Sequence, residues 1–134
     1  MSEEKSEGAL ERRLASFAAF DSGTKLARVR SSSPRALVLV VEGTLDTYNS
    51  ELFRKTVIDS LGDAKAQGGL ILDMAGISYA SSTGIGAFTS ILVEAERHQI
   101  ALHLCHIPSN IQKILDVLGF TSFFSYIPGY EEQR

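Results

Sequence analysis

Residues 79 to 88 read Tyr79-Ala80-Ser81-Ser82-Thr83-Gly84-Ile85-Gly86-Ala87-Phe88, and this stretch decides the fold. Three consecutive hydroxyls lead into Gly84 and an apolar pattern of helical period. The aliphatic run Leu70 to Met74 precedes them across a connection read as a loop over 75–81. A strand, a loop and a helix in that order put the hydroxyls at the positive end of the helix. An N-cap, a bound anion or a covalent phosphate is favoured there. One cap uses one hydroxyl, and three stand here beside glycines that allow another backbone to come close.

Downstream, Ile85, Phe88, Leu92 and Ala95 form the apolar stripe of that helix, and Ile100 to Cys105 reads as the next strand. Ser109 with Gln112 three residues later has the spacing of a capping box. Ile111, Ile114, Leu115 and Leu118 are the buried face of the helix it would open, and Gly119 closes it. Phe123 to Ile127 is a last strand, stopped by Pro128-Gly129.

Upstream, Lys25 to Arg30 reads as an edge strand, Ser31 to Arg35 as a turn around Pro34, and Ala36 to Val41 as a central strand covered on both faces. Glu42-Gly43-Thr44-Leu45-Asp46 is a connection. Thr47 or Asn49 caps a helix carrying Phe53, Val57, Leu61 and Ala64, which Gly68-Gly69 ends. Leu10, Leu14 and Phe17 make residues 9–20 a short amphipathic helix or an ill-defined arm, and residues 1–8 read as a disordered tail. The order β-β-α-β-α-β-α-β argues for an α/β domain. The expectation is an N-terminal arm over 1–23 and one domain over 24–130. That domain has four to five strands in a mostly parallel mixed sheet, packed by three or more helices.

Composition narrows the function. A chain of 134 residues with 44% hydrophobic content can build one ordinary core. A formal charge of -3 and a pI near 5.6 argue against direct nucleic-acid binding, which asks for a basic face. No apolar run approaches the roughly 20 residues that span a bilayer, so no membrane role is expected. The polar, acidic start lacks a signal-peptide core, and the single cysteine, Cys105, fits a reducing compartment. The expected location is cytoplasmic.

The motifs of chemistry fail one after another. Ala80-Ser81-Ser82-Thr83-Gly84 is one residue from a nucleophile elbow, but no histidine follows Asp116, as that triad order requires. There is no Gly-x4-Gly-Lys-Ser/Thr, and Gly84-Ile85-Gly86 lacks the third glycine of a dinucleotide fingerprint. His103, Cys105 and His106 do not make a metal site by strand parity, because His106 should face away from the other two. No enzyme activity, no cofactor and no metal are expected.

Two segments resemble the STAS domains of the anti-sigma-factor-antagonist type. Leu39-Val40-Val41-Glu42-Gly43-Thr44-Leu45-Asp46 is similar to the family's strand followed by Gly-x-Leu-Asp. Leu70 through Gly86 resembles its aliphatic strand, short loop and Asp-Ser-Ser/Thr-Gly-Leu/Ile-Gly turn. The similarity covers about residues 25 to 127. It implies a non-enzymatic phosphoprotein of partner-switching transcription control, whose phosphorylated serine falls on Ser82. By the same resemblance, Gly43, Leu45, Asp46, Thr47, Ser81, Thr83, Gly84 and Ile85 form the partner-binding surface. The implied partners are an anti-sigma factor serine kinase, bound while Ser82 is unmodified, and a metal-dependent serine phosphatase. Ser81 stands where the family usually has an acid, and the family's C-terminal helix is missing or reduced to Tyr130 to Arg134. An adaptor or scaffold in a stress-signalling or transport complex, never phosphorylated, is the alternative.

Overall fold

The computed structural model describes residues 3–21 and 23–133, with side chains from residue 8 onward. Strands β1 (Thr24–Ser33) and β2 (Arg35–Leu45) form an antiparallel hairpin paired from Thr24 with Gly43 to Ser32 with Arg35. From β2 the sheet continues in parallel through β3 (Leu70–Ala80), β4 (Leu102–Cys105) and the two-residue β5 (Ser125–Tyr126). A short β6 (Glu131–Glu132) pairs antiparallel with the far side of β1. The strand order is β5-β4-β3-β2-β1-β6. This is the expected α/β architecture with a mixed sheet, here of six strands.

Alternation along the strands divides the buried residues between two faces. Leu37, Leu39, Val41, Leu70, Leu72, Met74, Leu102 and Leu104 point into the main core. That core takes in the apolar faces of helices α1 (Glu3–Phe20), α2 (Ser50–Ile58), α3 (Leu61–Gln67), α4 (Ser82–Arg97) and α5 (Ser109–Leu118). The opposite face carries Ala36, Val38, Ile71 and Cys105, packed by Val29, Val40, Ile127 and Tyr130. The central strands are thus covered on both faces, but the second cover is the C-terminal segment.

At the N-terminus the helical alternative for residues 9–20 holds, and the helix is longer than expected: it begins at Glu3, inside the stretch read as a tail. Leu10, Leu14 and Phe17 are buried. Phe17 meets Phe53 edge to face with centroids 6.2 Å apart, and Phe53 meets Phe88 in the same way at 5.3 Å. This aromatic chain joins α1, α2 and α4 at the centre of the core.

Several boundaries also move. β2 and β3 run on through segments read as a connection and a loop, because residues 42–45 pair with 76–80 across two register shifts. On its other side Gly43 permits a close fit to the start of β1: its φ is +98°, and a Cβ there would lie 2.1 Å from the Gly23 carbonyl oxygen. The helix expected to run unbroken to Ala64 divides before Leu61. The Ser60 hydroxyl donates to the Thr56 carbonyl at 2.8 Å, and its amide takes Val57, tightening the turn. The capping box does not form. Pro108 occupies the cap position of α5, and the Gln112 amide donates to Asp116. Of the last predicted strand, Phe123 to Ile127, only Ser125–Tyr126 forms β5, and Phe123 closes a 3-10 turn (Thr121–Phe123) that precedes it.

Candidate functional site

Because β2 and β3 are parallel, their carboxyl ends emerge side by side at one edge of the sheet, where open α/β folds place their ligand sites. The Ser81 amide donates to the Leu45 carbonyl at 2.8 Å and fixes the two exits together. Ser81 is extended and its Oγ accepts the Gly84 amide at 3.1 Å. The N-cap of α4 is therefore Ser81, not Ser82.

Ser82 is the first helical residue. Its side chain is exposed and makes no hydrogen bond among the described residues, and Thr83 beside it is exposed too. Gly84 is buried, since a Cβ there would lie 2.6 Å from the Leu45 carbonyl oxygen. Leu45 and Ile85 are wholly buried. Thr47 and Thr83, two of the residues expected at a partner-binding surface, are exposed alongside Ser82, whereas Leu45, Gly84 and Ile85 are buried beneath them.

The loop after β2 is held by a polar hub. Asp46 Oδ1 accepts the amides of Tyr48 and Asn49 at 2.9 and 3.2 Å. The buried Asn49 amide returns the contact, its Oδ1 accepting the Asp46 amide at 3.0 Å. Its Nδ2 donates to Asp21 Oδ2 at 2.7 Å and to the Thr44 carbonyl at 2.8 Å. The hydrogen bond from Asn49 holds the Asp21 carboxyl below the usual carboxylate range, with further help from the Gly23 amide. Tyr48 is 68% exposed and stacks on Phe20 with centroids 4.9 Å apart. Between α2 and α4 lies an open groove of about 350 Å³, lined by Thr47, Glu51, Arg54, Thr83 and Gly86. Arg54 Nε donates to Glu51 Oε2 at 2.9 Å along it.

Sequence reading missed Asn49 as a hub, Tyr48 as an exposed aromatic and Arg54 as a cation in the groove. An Asn three residues after an acid resembles any turn, and the hub forms only when Asp21 arrives from the end of α1.

A second group of polar residues lies on the face opposite the helices. Asp73, Cys105 and His106 each bring a donor atom within 4.8 Å of the others. Strand parity fails for His106 because the strand ends at Cys105, and His106 takes a φ of +55° that swings its ring back. His106 Nδ1 lies 3.0 Å from Asp73 Oδ1 and 3.7 Å from Cys105 Sγ. The Tyr130 hydroxyl donates to Asp73 Oδ2 at 2.7 Å. Burial, reinforced by the Asp73 charge, pushes the Cys105 thiol up to about 12.

Residues 28–132 match the family model of the STAS domain, and the chain belongs to that family. Among solved structures it is similar to an anti-sigma factor antagonist from Mycobacterium paratuberculosis, with 12% identity and a TM-score of 0.64 over 79% of this chain and 86% of the other. The Bacillus cell fate determinant SpoIIAA in its phosphorylated form is 18% identical, with a TM-score of 0.56 over 78% and 90%. The murine anion transporter Slc26a9 is 21% identical with a TM-score of 0.58, over 80% of this chain and 21% of the transporter. At these identities the likeness is one of fold. Among the described residues no helix is long and apolar enough to cross a membrane.

Proposed function

We propose that this STAS domain is an anti-sigma factor antagonist switched by phosphorylation of Ser82. The unmodified protein binds an anti-sigma factor that is itself a serine kinase. That kinase modifies Ser82 and a metal-dependent serine phosphatase resets it. The chain itself carries out no reaction. The observation that supports this reading is the state of Ser82: exposed, without a hydrogen-bond partner among the described residues, and at the start of α4 beside the pinned Asp46–Tyr48 loop.

The physics of the switch follows from that position. A phosphate adds about -1.5 to -2 charges at neutral pH. At a helix N-terminus the free amides and the dipole tolerate it, so the domain stays folded. In a dehydrated contact without a matching cation it opposes association. A hundredfold loss of affinity needs only about 2.7 kcal/mol.

The test is incubation with the cognate kinase and ATP, followed by intact-mass measurement and a binding assay. The wild type gains one phosphate and releases its partner, while Ser82→Ala gains none and stays bound. A phosphate that still appears on Ser82→Ala, or a modified protein that binds undiminished, defeats the reading. A second reading, an unmodified adaptor, draws on Ser81: this hydroxyl precedes Ser82 where an acid is usual, and it is already committed to the Gly84 amide. No phosphate on the wild type in the same assay favours it.

A further inference from the structure

We propose that Asp73, Cys105 and His106 bind a thiophilic divalent transition-metal ion, of which Zn²⁺ is the best match. The inference is independent of the Ser82 switch, since these residues lie on the other face of the sheet.

The donor set has the right chemistry. A thiolate, an imidazole and a carboxylate are the three ligand types that zinc accepts, and three protein ligands with a water in the fourth position is a recurrent arrangement. Neighbouring donors around a tetrahedral ion with bonds of about 2.0–2.3 Å sit roughly 3.3–3.8 Å apart. Here Nδ1 to Oδ1 is 3.0 Å and Sγ to Nδ1 is 3.7 Å, and every pair is within 4.8 Å. Two edges of the coordination sphere are nearly formed, and the third closes with a side-chain adjustment.

The surroundings also orient the donors. The Tyr130 hydroxyl holds Asp73 Oδ2 and the Ala75 amide donates to Oδ1 at 3.2 Å, which keeps Oδ1 beside the histidine, and outer partners of this kind are what fix a ligating carboxylate. The Nε2 edge of His106 lies toward the backbone of Gly129, where a Cβ would stand 3.2 Å away, so Nδ1 is the nitrogen turned inward. Asp73 and Cys105 are buried on adjacent strands of the sheet in register with one another. The His106 side chain is 42% exposed and gives both an entry path and room for a water ligand.

The protons balance. Ligation through Nδ1 uses the His106 tautomer that carries its proton on Nε2. Cys105 loses its thiol proton, so each bound ion releases one proton. The bound ion would join β3, β4 and, through Tyr130, the C-terminal segment.

The test uses the full-length reduced protein titrated with Co²⁺ and then with Zn²⁺. One equivalent of Co²⁺ should bind with a thiolate-to-cobalt charge-transfer band that Zn²⁺ abolishes. Cys105→Ser should lose the band, and it and His106→Gln should each weaken binding about 100-fold or more, with Tyr130→Phe weaker by about tenfold. His106→Gln alters a half-exposed side chain and keeps the test valid if Cys105→Ser does not fold. Absence of the band in the wild type, or unchanged affinity in His106→Gln, overturns the proposal and leaves a purely hydrogen-bonded clasp.

Discussion

The amide of Ser81 donates to the carbonyl of Leu45 at 2.8 Å, and this one bond makes the start of α4 and the exit of β2 a single piece. Gly84 sits against the same carbonyl, with a would-be Cβ 2.6 Å from its oxygen and 3.0 Å from Leu45 Cβ. Gly84→Ala therefore has to part the two exits. A loss of about 1–3 kcal/mol is expected, measured as a lower urea midpoint at unchanged slope. A neutral result would mean that the contact yields without cost.

Neighbouring serines should behave differently. Ser81→Ala removes the cap on the Gly84 amide and should cost about 1 kcal/mol. Ser82→Ala removes an exposed hydroxyl with no partner among the described residues and should stay within about 0.5 kcal/mol of wild type. Thermal unfolding of the pair decides the matter, and the reverse ranking would contradict the assignment of the cap.

Phe17 gives the measure of α1. Its ring is fully buried and contacts Phe53 edge to face. Phe17→Ala should cost about 3–5 kcal/mol in chemical denaturation. A change of surface size would instead mean that the helix is dispensable to the folded unit, as the arm reading supposed.

Asp21 supplies a pH dependence. Its folded pKa lies below the ordinary 3.8, chiefly through the hydrogen bond from Asn49. A depressed carboxylate adds stability that is present above the unfolded value and is lost as pH falls through the folded one. Asp21→Asn should therefore be less stable than wild type near neutrality, with the difference narrowing below about pH 4. A difference that held constant from neutral to acid pH would remove the carboxylate from the network. Asn49→Ala strands the Asp46 amide and leaves the Thr44 carbonyl with the Thr24 hydroxyl as its remaining donor, and should cost about 1–3 kcal/mol at neutral pH.

What could be read in the sequence was local. The run Leu70 to Met74, the hydroxyls and the stripe Ile85, Phe88, Ala95 specify strand, turn and helix within one window of the chain. Their placement at the sheet's carboxyl edge follows from topology rules. What could not be read depends on distant partners. Phe17 becomes core only when Phe53, itself packed on Phe88, meets it, Asn49 becomes a hub only beside Asp21, and β6 exists only because β1 lies alongside. Ser60 ends α2 through its own hydroxyl, a signal indistinguishable in sequence from an ordinary helical serine. Parity misplaced His106 because one left-handed residue cancels the alternation of the strand before it.

The final segment serves two purposes at once, sealing Val38 and Ile71 with Ile127 and Tyr130 and guarding the outer edge of β1 with β6. Proteolytic trimming of that segment would bare a flat aliphatic surface next to an unpaired strand, the combination that draws chains into aggregates. Colloidal stability would fail before the helical side of the molecule lost any of its packing.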